Sequence, residues 1–424
     1  MELTAEARGL RGELNQWRHA LHQEPEIGLD LPRTQEKVLA AIDALGFEVS
    51  TGTDTTSVTA VLRGTAGETS DDGGAPSSSS APSIGEPASS SERPVVLLRA
   101  DMDALPVQER TGVDFTSRID GAMHACGHDL HTSMLLGAAT LLADNRHRLA
   151  GDVVFMFQPG EEGYDGASVM VREGVLDAAG RRVDAAFGMH VFSSMAPHGQ
   201  FVTRPGVMMS ASDGLFVTVR GAGGHGSAPH TAKDPVTVAA EMVLALQTMV
   251  TRQFDMFDPV VVTVGRLAAG TKRNVIPETA EFDATIRTFS DAHRERMQTV
   301  IPRLLEGIAH AHGLEVEVRY AAEYPLTVTD QAETEFAESA ISELFDGRHA
   351  RLVQPLSGSE DFSRVLAEVP GSFIGLSAVP AGVDFATSAF NHSPFATFDD
   401  AVLADGAALY AQLALAKTAQ LAAR

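Results

Sequence analysis

The hydrophobic positions of this 424-residue chain recur with two periods that alternate along it. Helical spacing predicts helices over 4–22 and 33–46, and again over 128–143. Between them lie compact apolar runs, "SVTAVLR" (57–63) and "VVLLR" (95–99). "DVVFMFQ" (152–158) and "DAAFGMHV" (184–191) are likewise apolar and end in polar residues. Runs without alternation are the mark of strands buried on both faces. The strand–helix succession therefore predicts an α/β sheet, whose sites lie at the carboxyl ends of its strands.

The pattern changes in the middle of the chain. "GLFVTVRG" (214–221) alternates as a half-buried strand does. "DPVTVAAEMVLALQTMVTRQ" (234–253) opens with an Asp cap and a first-turn Pro, then runs at helical spacing. Strands are predicted over 259–267 and 280–289, a helix over 292–313 and a strand over 314–321. The order β-α-β-β-α-β is the ferredoxin-like arrangement. A small domain, 205–321, is thus read as inserted into a larger one made of 1–204 and 322–424, which ends in an Ala/Leu-rich helix over 399–422. The segment 66–93 is Ser, Gly, Pro and Asp with almost nothing to bury, and is expected to be a disordered surface insertion in the larger domain.

Composition narrows the function classes. A net charge of −24 repels polyanions, so neither nucleic acid nor an anionic membrane surface is an expected partner. No apolar run reaches 18 residues, and the N-terminal stretch is charged and helical rather than signal-like. One cysteine makes no internal disulfide, which agrees with a reducing compartment. The expectation is a soluble cytoplasmic protein.

That single cysteine sits in "MHACGHDLH" (123–131). Cys126 and His128 are two apart, a spacing suited to an extended segment feeding a helix. They could grip a divalent ion, or be a buried thiol beside a surface imidazole. Other strand ends repeat the chemistry. "FQPGEEG" (157–163) offers adjacent carboxylates that point apart, so that one can bind metal while the other moves protons. "GMH" (188–190), "FNHSPF" (390–395) and "RADMDALP" (99–106) supply two histidines and two alternating acids.

These segments, with "WRHALHQEPEIGLDLPRTQEKV", "GGHGSAPH", "GTKRNVIP" and "GSEDFS", resemble the M20 metallopeptidase-like amidohydrolases. The branch is that of hippurate hydrolases, indole-acetyl-amino-acid hydrolases and N-acyl-amino-acid deacylases. The resemblance runs in the family's order from about 17 to 395, except across 66–93. It implies a zinc-exopeptidase-like α/β catalytic domain with an inserted ferredoxin-like lid or dimerisation domain, and a homodimer through that lid. It implies two divalent ions per subunit, Zn²⁺ or Mn²⁺ with Co²⁺ admitted, held by Cys126, His128, Glu162, His190 and His392. Cys126 stands where other branches place a bridging aspartate.

Further roles follow by resemblance. Glu161 is the general base, taking a proton from a metal-bridging water and delivering it to the leaving nitrogen. Asp103 orients a ligand imidazole; for Asp101 the same role and simple strand-end solvation both stand. His225 donates to the tetrahedral oxyanion, often from the partner subunit, and Asn274 adds a polar contact. Arg287 resembles a position that holds a substrate carboxylate, and equally an edge-strand arginine with no role. His131, His230 and His124 are read as packing or supporting residues, and Glu360 as part of the pocket wall. The implied reaction is cleavage of a small N-acyl-amino acid. The alternative is a dinuclear dipeptidase or carboxypeptidase with the same machinery.

Overall fold

The computed structural model describes residues 2–67 and 93–424. The expected insertion therefore lies, for residues 68–92, outside the described residues. The chain divides into two compact units: Met1–Gly206, Thr329–Val353 and Arg364–Arg424 form one, Val207–Val328 and Gln354–Ser363 the other.

The first unit is built on an eight-stranded mixed sheet. Its strands are β1 (Glu48–Thr51), β2 (Val58–Arg63), β3 (Val95–Asp101), β4 (Asp152–Gln158), β5 (Ala185–Phe192), β6 (Phe201–Thr203) and the strands His349–Arg351 and Gly371–Ser377. β4, β3, β5 and Gly371–Ser377 run parallel at its centre. Every residue of β3, β4, β5 and Gly371–Ser377 is buried, as their unbroken apolar runs require. Among the helices around these strands are α1 (Glu2–Gly9), α2 (Arg11–Gln23), α3 (Pro32–Ile42) and α4 (His128–Asp144). The helix expected over 4–22 is thus two, broken at Leu10. Gly9 and Gly12 flank that break, where helix propensity is lowest.

α4 is the unit's central helix, packing against α2, β3 and the C-terminal helix Leu403–Ala422. It is apolar nearly all round, because it meets neighbours on several sides. Leu130, Met134, Leu135 and Leu142 are fully buried, each worth about 2 kcal/mol of transfer free energy. The Leu403–Ala422 helix approaches so closely that a Cβ on Gly406 would lie 2.0 Å from Met134 Sδ. Small residues in that helix are therefore a packing requirement.

The second unit has its own core and a four-stranded antiparallel sheet, ordered Val260–Ala269, Thr279–Thr288, Ala211–Arg220, Glu315–Tyr324. Helices Pro235–Gln253 and Asp291–Ala311 pack on it, their apolar stripes meeting Leu215, Val217, Phe282 and Ile286. Asp234 caps the first through Val236 N, and Ser290 caps the second through His293 N. Two boundaries differ from the sequence reading. Residues 322–328 belong to this unit, the last strand staying paired as far as Tyr324 opposite Ser212. Residues 354–363 also belong here: Ser210 N donates to the carbonyls of Leu356 and Gly358, and Arg287 Nη1 to Ser359 Oγ at 2.7 Å.

Candidate metal centre

Cys126 ends the loop that enters α4, and Gly127 turns the chain between it and His128. Gly127 has φ +91, and a Cβ there would lie 2.4 Å from Val191 Cγ2. Only glycine accepts both demands, so the turn that separates the thiol from the imidazole is written into "CGH". His128 is the first residue of α4 and is wholly buried. Its Nδ1 donates to the Asp103 carbonyl at 2.8 Å, which leaves Nε2 as the bare nitrogen. That Nε2 is buried with no hydrogen-bond partner.

His190, near the end of β5, is arranged in the same way. Nδ1 donates to Val191 O at 2.8 Å, and Nε2 lies 3.4 Å from Cys126 Sγ. His392 arrives from a distant loop, with φ +72 and its backbone N bonded to Ala125 O. Its Nε2 is 3.3 Å from Cys126 Sγ and 3.1 Å from Glu162 Oε1. Two donor triads result, Cys126–His128–His190 and Cys126–Glu162–His392, each with its ligand atoms within 4.8 Å of one another. They share the thiol. Sulfur, nitrogen and carboxylate oxygen at such separations, with two imidazoles oriented by carbonyls, fit a pair of divalent ions.

Glu161 and Glu162 follow β4 through the Pro159–Gly160 turn. Their backbone N–H groups both donate to the Asp103 carboxylate, at 2.9 and 3.0 Å. Glu161 is buried, and its carboxylate groups with His128 and Glu162. The role given to Asp103 in the sequence is therefore divided: its backbone carbonyl orients His128, while its side chain positions the glutamate pair. Asp101 is not solvated. It is fully buried, salt-bridged to the buried Arg99 at 2.6 Å and bonded to His131 Nδ1 at 2.5 Å. His131 Nε2 in turn accepts from Val191 N at 2.7 Å. This Arg99–Asp101–His131 chain fixes the backbone beside His190.

The electrostatics show what the cluster demands. Burial pushes the Cys126 thiol up, the Glu162 charge adds to this, and His128 and His392 oppose it. His392 rises to about 10 through its hydrogen bonds to Cys126 and Glu162. His128 rises well above the usual imidazole value: burial opposes this, and Asp101 and Cys126 outweigh it. Burial drives His190 well below that value. Positive charge is thus favoured at His128 and His392, beside Asp101 and Glu162, a demand that divalent cations would meet more strongly than protons do.

A second polar network anchors α4 to α2. Asp129 accepts from Arg18 Nε at 3.2 Å and His22 Nδ1 at 2.8 Å, and His22 Nε2 donates to Glu109 at 3.2 Å. Against the cost of burial, Asp129 and Glu109 raise His22 to about 9. A group protonated more readily when folded contributes fully below its ordinary value of 6.5 and loses that contribution as pH rises through 9. The shift corresponds to roughly 3 kcal/mol as an upper bound, at 1.36 kcal/mol per unit. The melting temperature is therefore expected to fall between pH 7 and 9.5, and to fall less in His22→Gln. Parallel slopes in calorimetric scans of the two proteins would refute this.

Of the other residues singled out in the sequence, His124 is buried in the first unit and the rest belong to the second. His225, on the short strand Gly224–His225, is exposed and bonds Ser227 Oγ at 2.7 Å through Nδ1. Asn274 lies beside it, its carbonyl accepting from Gly226 N. Arg287 stands on the strand Thr279–Thr288. Within the first unit the structure adds Arg99, His22, Arg18 and Asn391, which the sequence reading did not single out. The legible signal was the pair of histidines on α2 close to Arg18; Arg99 closes its apolar run and gave none.

The fold and centre together define an α/β protein with metal-capable donors gathered at the carboxyl ends of parallel strands. A model of the peptidase family M20/M25/M40 matches residues 97–416, and the chain belongs to that family. As a member it is a hydrolase of the kind that acts on amide bonds. Thermostable carboxypeptidase 2 of Saccharolobus solfataricus is 34% identical to it, over 98% of this chain and 99% of its own. The hippurate hydrolase of Campylobacter jejuni is 33% identical over 98% and 99%. The crystal structure of a Bacillus subtilis dinuclear metal-binding peptidase from the M20 family matches at a TM-score of 0.77 and 28% identity, covering 97% of this chain and 99% of that one.

Proposed function

We propose that the protein is a dinuclear metal-dependent amidohydrolase that cleaves N-acyl-amino acids. The observation that carries this is the pair of donor triads joined at Cys126 Sγ, with Glu161 beside them. Cys126, His128, Glu162, His190 and His392 would hold two ions. Thiolate and imidazoles suit Zn²⁺, while the carboxylate also admits Mn²⁺ or Co²⁺. When bound, the ions would supply the charge that polarises the scissile carbonyl and eases loss of a proton from water.

The rest is done by the chain's own groups. Glu161 accepts the proton from the attacking water and later gives it to the leaving amino nitrogen, so the carboxylate is restored at the end. Asp103 keeps Glu161 and Glu162 in register by holding both amides. His225 donates to the developing oxyanion, with Asn274 as a further polar contact and Arg287 as the partner of a substrate carboxylate. These three assignments rest on the sequence motifs. A homodimer through the second unit is supported by exposed apolar residues on its edge strand and adjoining helix: Val261, Leu267 and Leu244. Among the described residues no helix is long and apolar enough to cross a membrane. Cytoplasmic placement is supported by the lone cysteine, which makes no internal disulfide.

The carboxypeptidase relative favours a second reading, in which the same centre cleaves peptides. The discriminating experiment strips the protein of metal, reloads it with Zn²⁺, Mn²⁺ or Co²⁺, and follows free amino acid from N-benzoyl-, N-acetyl- and longer N-acyl-amino acids beside dipeptides. Metal-dependent release from the acyl substrates is expected. Release from peptides alone would replace the first reading with the second.

A further inference from the structure

Asn391 precedes His392, and its side chain ties three separate segments together. Its Nδ2 donates to the Cys126 carbonyl and to the Val191 carbonyl, each at 3.0 Å. Its Oδ1 accepts from Ser193 N at 3.0 Å and Ser193 Oγ at 3.1 Å. The orientation of the amide is unambiguous, because Ser193 N can only donate and the two carbonyls can only accept. The same Nδ2 lies 3.9 Å from Cys126 Sγ. The single Ser193 hydroxyl proton is also within reach of Ala389 O, at 2.8 Å. One carboxamide, next in sequence to His392, thus spends both N–H bonds and its oxygen on the segments that carry Cys126 and His190.

We propose that Asn391 is the positioning residue that fixes the two donor triads relative to each other. This rests on the reading of the centre as a dinuclear metal site. Each triad has local supports: His128 leans on Asp103, and His190 on its own strand. His392 is different. Its side chain is 54% exposed and its backbone is in the left-handed region. Carbonyls of its loop accept from Ser193 Oγ, Ser194 Oγ and Arg110 N, but the bonds next to His392 itself are His392 N–Ala125 O and those of the Asn391 side chain. Without the carboxamide the loop keeps its outer anchors at Phe385, Ala389 and Pro394 but loses the ties that set His392 against Cys126 and β5. The triad Cys126–Glu162–His392 should then loosen, while Cys126–His128–His190 stays built.

The test is metal affinity of the full chain, measured by titrating apoprotein with Zn²⁺ or Co²⁺ against a competing chelator. In Asn391→Ala the weaker of two binding steps is expected to lose tenfold or more in affinity, the other changing less than about threefold. The Co²⁺ protein should show an altered thiolate absorption. Asn391→Asp has the same size but cannot donate to two carbonyls, so it should behave like the Ala variant. Recovery of both sites by Asp would assign the residue to packing and overturn the proposal. Ser193→Ala removes one donor of the network and should produce a smaller loss at the same step; it serves as the test if the Asn391 variants do not fold. Two unchanged binding steps in folded Asn391→Ala, or in Ser193→Ala standing in for it, would overturn the proposal while leaving the centre intact. Absence of any metal binding by the unaltered chain would instead overturn the reading of the centre, and this inference with it.

Discussion

Glu161→Gln is expected to keep its metal and retain no more than about a thousandth of the hydrolytic turnover. The substitution changes one oxygen to an amide nitrogen and removes the group's capacity to take a proton. General acid–base groups of this kind contribute about 10²–10⁴ in rate, and Glu161 is assigned two such transfers in one cycle. Metal content should hold, because Glu161 belongs to neither of the two triads that share the thiol. The backbone should hold as well, since it is the Glu161 N–H, not its side chain, that Asp103 grips. Elemental analysis and kcat with an N-acyl-amino acid check the two halves separately. Substantial turnover in a metal-replete variant would remove Glu161 from the proton path. Lost metal would move it into the ligand set.

The second large effect is expected at Cys126. Its sulfur is common to both triads, so Cys126→Ala leaves each with two donors. Bound metal should fall from two ions to less than one, and activity should fall below detection. The thermal stability of the metal-free protein should change by less than about 1 kcal/mol, because an alanine fits a buried thiol's site with little loss of contacts. Cys126→Asp is the informative companion. It restores an anionic donor at the point common to both triads, and should recover metal where alanine does not. Two ions in Cys126→Ala would rule out a bridging thiolate.

How far the sequence reveals this molecule depends on the range of the interactions involved. Among the candidate donors, His392, in FNHSPF, follows no apolar run and flanks no glycine, and joined the set through the family resemblance; Glu162 and His190 follow apolar runs and Cys126 and His128 flank a glycine, signals that local sequence carries. The ferredoxin-like order of the second unit was legible for the same reason. Its exact limits were not: 354–363 joins it through Ser210 and Arg287, contacts made across more than seventy residues of chain. The strands Phe201–Thr203 and His349–Arg351 are three residues long, too short to show a period. Arg99 reads as a strand-ending charge, yet it is fully buried because Asp101 and Gln158 meet it. Asn391 reads as a loop polar residue. Only the folded chain shows that three segments converge on it.

The order in which the donors occur along the chain has a consequence for synthesis. Cys126, His128, Glu162 and His190 all precede the second unit, whereas His392 follows it, 266 residues beyond Cys126. A nascent chain that has passed residue 200 already carries every member of Cys126–His128–His190. The other triad lacks its third member until nearly the whole chain has left the ribosome. The two halves of the centre are therefore unequal in time: the first can be assembled by an incomplete chain, and the second certifies that the last strand and its loop have been made and docked.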